Sequence, residues 1–209
     1  MSKGELTRQR IVELAAPIFN QRGYAGCSMQ DVMDATGLEK GGLYRHFASK
    51  EELAVEAFRY AVGRAKRTRT DGLDPDLKPL EKLRTLVQRF VEQPSVLPGG
   101  CPLLNTAADA DDGNPVLRKL ALDGFCDWRE RLATIVAEGI RRREIRRSVE
   151  PRQIANTMIA TLEGALLLSR LECAPTALED AQKALETLMD AIACPRQKNS
   201  PSRRPAASH

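Results

Sequence analysis

Apolar residues return at helical spacing along most of the chain. Ile11, Leu14, Ala15, Ile18 and Phe19 stand at i, i+3, i+4, i+7 and i+8, which is one stripe of an amphipathic helix. Thr7 is the expected N-cap and Gly23 the expected stop. Pro17 lies inside the pattern but off the stripe. It removes the hydrogen bond to the Glu13 carbonyl at a cost of about 3 kcal/mol or a bend, so a kink rather than a break is expected there.

Two short helices follow. Ser28 can cap the first, with Asp31 favouring its positive end and Val32, with Met29 or Met33, supplying the buried face. Gly37 should end it, and a second helix should open near Glu39 or Lys40 and run to Phe47. Two short helices joined by a Gly-containing turn are the sequence form of a helix-turn-helix. Ser49-Lys-Glu-Glu52 then reads as a capping box for a longer helix reaching about Arg69.

Further helices are expected over Leu80–Glu92, Pro102–Asp112, Pro115 to about Arg143 (capped by Asn114), Pro151–Leu171 and Ala177–Ala193, with a loop over Gln93–Gly100. That makes about nine helices and an all-α fold, because strand alternation and hairpin dipeptides are missing. Residues 195–209 are polar and proline-containing and are expected to be disordered.

Composition narrows the function class. A chain of 209 residues has room for one sizeable core or two small ones. The absence of an 18-residue apolar run or a basic leader predicts a cytoplasmic protein with no membrane association. The formal charge of +4 permits nucleic-acid binding without demonstrating it. Five scattered cysteines without a Cys-x-x-Cys pair suit reduced thiols. His46 and His209 have no neighbours at ligand spacing, so no metal and no cofactor are expected.

The passage from Gly23 to Leu53 carries the spacing Gly-x-x-Tyr-x-His-Phe-x-x-Lys-x-x-Leu, ending Gly41-Gly-Leu-Tyr-Arg-His-Phe-Ala-Ser-Lys-Glu-Glu-Leu53. In this it resembles the DNA-binding domain of the TetR family of repressors. The resemblance covers roughly the first third of the chain. It implies a helix-turn-helix in helices two and three, a variable small-molecule-binding region behind it, and a homodimer through the last two helices. It also implies that Tyr44, His46 and Lys50 grip phosphates of double-stranded operator DNA.

The residues themselves agree. The second short helix of such a motif enters the major groove. Lys40 can donate to guanine, Gly41 and Gly42 remove side-chain bulk so that backbone can approach DNA, and Arg45 lies one turn on. Ser28 and Gln30, at a helix N-terminus, can hold phosphate. Leu43 and Phe47 should face the core. Each polar assignment has a plainer alternative: Lys40 or Arg45 as a solvated charge, His46 as a packing or capping group, Tyr44 as a half-buried core aromatic. The cluster Arg64-Ala-Lys-Arg-Thr-Arg69 complements a helix dipole or touches phosphate. The run Arg141 to Arg147 is expected to face water.

The boundaries implied are 1–52 for DNA binding, with 49–69 as a connecting helix, and 70–194 for ligand binding and dimerisation. An unknown small-molecule inducer would meet candidates among Phe90, Cys101, Leu103, Leu104, Asn105, Phe125, Trp128, Met158, Leu162 and Glu163, any of which can instead be ordinary core. Asn105 and Glu163 stand out because a polar group among apolar neighbours needs a partner. The stretch Thr161 to Arg170 is apolar nearly all round and should be covered on two sides. Cys101 follows Gly-Gly and should sit near a helix N-terminus, where thiolate is favoured. The segment Gly100 to Asn105 resembles one in electrophile- or oxidant-responsive family members, although a small buried hydrophobe is the preferred reading of Cys101. No phosphate loop, metal cluster or activated nucleophile argues for an enzyme. A DNA-architectural protein is the remaining rival, and it would bind with little sequence preference.

Overall fold

The structure is a computed structural model describing residues 2–195. Those residues form nine helices: α1 (Lys3–Gly26), α2 (Met29–Thr36), α3 (Lys40–Tyr44), α4 (Lys50–Thr70), α5 (Pro79–Glu92), α6 (Pro102–Ala110), α7 (Pro115–Arg141), α8 (Pro151–Leu171) and α9 (Thr176–Ile192). Among them the only extended pairing is a single bridge between Ile145 and Ala193. The all-α expectation holds. The expected disordered tail, 195–209, lies outside the described residues except for Pro195, and His209 lies outside them too.

Local chemistry explains where the helices begin. Ser2, not Thr7, caps α1: its hydroxyl accepts from the Glu5 amide at 3.2 Å, and the Glu5 carboxylate accepts from the Ser2 amide at 2.6 Å. That reciprocal pair satisfies two amides at once, while Thr7 sits inside the helix and donates to the Lys3 carbonyl. Helical angles persist through Pro17, and the kink falls instead at Gly23, with φ 74° and ψ 172°. Asp109 explains the position, because its carboxylate accepts from the Tyr24 amide at 2.6 Å and occupies the space a Cβ on residue 23 would need. At Ser49 the capping box is only half made. The hydroxyl accepts from the Glu52 amide, but the Glu52 carboxylate takes the Ala48 amide rather than that of Ser49.

The chain builds two main apolar cores. Ile11, Val12 and Ala15 of α1, Val32 of α2, Leu43 of α3, Phe47 in the turn after it and Leu53 of α4 close the first. The second is larger and joins Leu83, Val87 and Phe90 of α5 to Leu132 and Val136 of α7, Met158 and Leu162 of α8, and Leu185 and Met189 of α9. Helix α4 belongs to both: Leu53 lies in the first and Phe58 in the second. The far end of α4 is held by Arg89 of α5, which donates to the carbonyls of Arg69, Asp71 and Gly72. These carbonyls have no intrahelical donors of their own.

A polar latch fastens α1 to the second unit. Asn20 Nδ2 donates to the carbonyls of Pro98 at 2.8 Å and Gly100 at 3.1 Å. Asn105 Nδ2 donates to the Asn20 carbonyl, the Asn20 Oδ1 and the Gly99 carbonyl at 3.0, 3.1 and 2.8 Å. Gly99 and Gly100 both have positive φ, and the Asn20 backbone fills the place of a Cβ at Gly99. Next to this latch, Leu97 packs on Ala16, Ala57 and Ala61. The buried Asn114 both caps α7 and reaches Glu51 of α4 at 2.9 Å.

Asn20→Ala should leave the Pro98 and Gly100 carbonyls without their donor and lower stability by about 1–3 kcal/mol. A urea unfolding curve checks it, with a lower midpoint at unchanged slope as the expected result.

Candidate nucleic-acid interface and ligand cavity

Helix α2 owes its angle to a capping box. The Ser28 hydroxyl accepts from the Asp31 amide at 3.1 Å, and Asp31 accepts from both the amide and the hydroxyl of Ser28 at 2.7 and 2.6 Å. The hydroxyl bond first, then the amide bond and the Arg22 ion pair, hold the Asp31 carboxyl down at about 2. Gly37 ends α2 in the left-handed conformation at φ 67°. Helix α3 is shorter than the expected run to Phe47. It closes at Tyr44, because the amides of His46 and Phe47 both turn back to the Leu43 carbonyl at 3.0 and 3.1 Å.

Five residues cannot hold a helix by themselves. Leu43 and Phe47, fully buried, pin α3 to the first core as expected. The Arg8 guanidinium covers Phe47 at 4.3 Å from its centroid and is paired with Glu52 and Glu56 at 3.1 and 3.4 Å.

With its apolar side used in this way, the segment exposes Lys40, Gly41, Tyr44 and Arg45, leaving Gly42, His46 and Lys50 half-buried. Tyr44 is 42% exposed, which removes its alternative as a half-buried core aromatic. Among the described residues neither Lys40 nor Arg45 enters an ion pair. Lys50 lies over the ring of Tyr24 at 4.3 Å, a contact between distant positions that periodicity does not register. Ser28 and Gln30 are exposed but engaged, Ser28 by Asp31 and Gln30 by Asp34 at 2.7 Å. Gly41 has open space where a Cβ would stand, and Gly42 meets nothing nearer than Leu38 at 3.7 Å. Neither has positive φ, so the backbone does not require glycine at either place.

A cavity of about 640 Å³ lies behind this face, walled by α4, α5, α7, α8 and the start of α6. Of the expected lining residues, Phe90, Cys101, Leu103, Trp128, Met158 and Leu162 are in its wall. Leu104, Asn105, Phe125 and Glu163 are not. Asn105 is spent in the latch to Asn20, and Phe125 stacks on the far side of Trp128 at 6.5 Å. Glu163 is buried beside Cys101 with neither carboxylate oxygen partnered, and burial pushes its carboxyl up.

Cys101 does occupy the N-cap of α6, but it is fully buried. Burial first, then the neighbouring Glu163 carboxylate, push its thiol up to about 12. The thiolate favoured by a helix N-terminus is therefore overridden by desolvation, and the small buried hydrophobe is the description that fits.

Arg69 departs furthest from expectation. It neither faces water at the end of α4 nor reaches toward DNA. It is 9% exposed in the cavity wall, its guanidinium 4.1 Å from the Phe90 centroid and 5.6 Å from that of Trp128. The basic run from Arg141 does face water, with Arg142 paired to Glu138.

A short helix anchored by one buried leucine and presenting basic and aromatic side chains, mounted on a helical body with a cavity, has the form of a helix-turn-helix DNA-binding protein. Residues 11–57 match the family model for bacterial regulatory proteins of the tetR family, and residues 79–185 match that for the tetracyclin repressor-like C-terminal domain. The HTH-type transcriptional repressor DhaR of Mycobacterium sp. (strain GP1) is 30% identical over 167 residues, spanning 79% of this chain and 83% of that one. A TetR transcriptional regulator from Chloroflexus aurantiacus has a similar structure, with a TM-score of 0.87 and 43% identity over 92% of this chain and 98% of its own. A TetR-family regulator from Cytophaga hutchinsonii has a TM-score of 0.87 at 36% identity, covering 94% and 99%. The chain belongs to the TetR family of DNA-binding transcriptional regulators.

Gly41→Ala should keep or raise stability, by up to roughly 1 kcal/mol, since it adds a helix former in open space. Its operator affinity should nevertheless fall if backbone approaches DNA there. Thermal melting and a gel-shift titration on the same preparation measure the two effects separately.

Asp31 sets a pH dependence. Its carboxyl is held below the ordinary 3.8, so its contribution is complete above about pH 4 and is lost as pH falls through about 2. The stability gap between wild type and Asp31→Asn, followed by circular dichroism melts, should therefore close over that window.

Proposed function

We propose that the protein is a repressor that binds a near-palindromic operator as a homodimer and leaves it when a small molecule enters the cavity. The observation that carries this proposal is the double membership of α4. Its first turns close the core behind α3, and its last turns, through Val62, Ala65, Lys66 and Arg69, form cavity wall. A ligand that displaces those last turns shifts the support of the recognition segment, which gives it a differential interaction with DNA-competent and DNA-incompetent arrangements.

The DNA-facing roles divide by side-chain chemistry. Lys40 and Arg45, charged and unpaired, are assigned to base edges, with Gly41 and Gly42 admitting the backbone. Tyr44, His46 and Lys50 are assigned to phosphates, while Ser28 and Gln30 support the N-terminus of α2 at the same strand. The working division is 1–52 for DNA binding and 70–194 for ligand and partner, with α4 between them.

Dimerisation is assigned to α8 and α9. Leu167, Leu168 and Leu171 are 49%, 51% and 73% exposed, and with the open Gly164 they share one face of α8. A second copy covering that face, together with the exposed Ala184 and Ala191 of α9, completes a four-helix bundle. No described helix is long and apolar enough to cross a membrane. We place the protein in the cytoplasm with its DNA, and assign it no catalysis.

Footprinting on DNA flanking the protein's own gene should show a protected, two-fold-related site with half-sites about one or more helical turns apart. Lys40→Ala and Arg45→Ala should each relax base preference by about 1–3 kcal/mol, whereas Tyr44→Phe should weaken all DNA alike. A uniform footprint with affinity set by salt alone would refute the proposal.

A further inference from the structure

The charges in the cavity wall are not evenly placed. Lys66, Asp127 and Glu130 are exposed and Arg131 is half-exposed, so the two cations and two anions of the rim offset one another. Arg69 alone among the charged wall residues is buried. One of its donors goes to the Pro94 carbonyl at 3.3 Å, Nε is buried without a partner, and among the described residues no carboxylate pairs with it. A guanidinium keeps its charge under all ordinary conditions. A buried charge of this kind needs an opposite charge.

The nearby buried carboxyl does not supply one. Glu163 lies outside the wall and makes no ion pair with Arg69, and burial raises its carboxyl against the opposing pull of Arg69 and Cys101. Phe90 and Trp128 lie against the Arg69 guanidinium, and Val87, Leu132, Met158 and Leu162 extend the apolar part of the wall. A bare inorganic anion would satisfy the guanidinium but leave that surface uncovered. A neutral hydrocarbon would do the reverse.

We infer that the cavity takes an amphipathic monocarboxylic acid, its carboxylate on Arg69 and its apolar body along Phe90, Trp128 and the α7–α8 wall. This inference rests on the proposal that the cavity is the ligand site. It specifies what that site selects. A cavity of about 640 Å³ has the capacity of pockets that enclose drug-sized molecules, so the body is a medium-length alkyl chain or one or two rings. The acid also reaches a residue with two further connections. Arg69 holds Pro94 at the start of the loop whose Pro98 and Gly100 carbonyls receive Asn20 of α1. A carboxylate competing for the guanidinium therefore acts on both α4 and the latch to the DNA-binding unit.

The chain has one tryptophan, Trp128, and it lies in the wall, so its fluorescence reports occupancy directly. Full-length protein would be titrated with hexanoate, decanoate, 4-phenylbutyrate and biphenyl-4-carboxylate, each beside its primary alcohol, with calorimetry as a second readout. At least one acid should bind about tenfold or more tightly than its alcohol, the increment of a charge-assisted hydrogen bond. Arg69→Gln should erase that preference, and Arg69→Lys, which keeps the charge, should retain most of it even if both variants melt lower. Alcohols binding as tightly as acids, or a preference that survives Arg69→Gln, would overturn the inference while leaving the cavity as a ligand site. If neither series binds, the inference is overturned; if Leu162→Phe, which adds bulk to the wall without adding a second tryptophan, also leaves Trp128 emission and operator affinity unchanged, the ligand-site proposal falls with it.

Discussion

Helix α4 is the constraint on which the rest of the structure depends. It is the one element that lies in the core behind the recognition segment and in the wall of the cavity, and it is fixed at both ends by groups from elsewhere. Near its start, Glu51 meets Asn114 of α7, and Glu52 and Glu56 meet Arg8 of α1. At its end, Arg89 of α5 caps three carbonyls. A helix held in this way moves as a rod or not at all, because interior packing resists continuous deformation. That rigidity allows an event at residue 69 to be felt at residue 53. The short α3 contributes little to its own order and takes its orientation from Leu43 and Phe47, which rest on that rod.

The polar groups of the interior sort by what they have been given. Asn20 and Asn105 satisfy one another and the strained glycine loop, so they hold the two units together. Arg69, Glu163 and Cys101 lie within reach of each other's charge but are not matched by hydrogen bonds in the same way. A fully paired polar cluster stiffens a fold, whereas a partly paired one is a place where something else can enter. The latch and the cavity are next to each other along the chain, and they differ in this respect.

What the sequence made legible was chiefly local. Ser28, Gly37, Asn114 with Pro115, and the limits of α8 follow from caps and stops acting within a turn or two, and they came out where periodicity placed them. Leu43 and Phe47 were readable for the same reason. The misses were contacts between distant residues. Gly23 rather than Pro17 carries the kink because Asp109 arrives from α6. Asn105 was correctly singled out as a polar residue in need of a partner, but its partner is Asn20 and not a ligand. Cys101 was read at a helix N-terminus, with a small buried hydrophobe as the alternative, and both descriptions apply: it caps α6 and is buried, which raises its thiol. Arg69 was grouped with its basic neighbours because nothing in Arg64-Ala-Lys-Arg-Thr-Arg69 reveals that the last of them turns onto Phe90. Of the cavity wall, the apolar members were within reach of pattern, while the contribution of α4 was not.

Gly41 and Gly42 were introduced as places where the backbone comes close to DNA, yet neither is demanded by the fold. Ordinary φ values and open space mean that the protein would accept a side chain at either position with little effect on folding. Under the proposed assignment of this segment to base reading, recognition and stability are uncoupled at two adjacent sites. For a lineage of regulators, that is room to diverge: a duplicated copy can change the operator it answers to through single substitutions there, each passing through a folded intermediate, while the cavity and its signal are inherited unaltered.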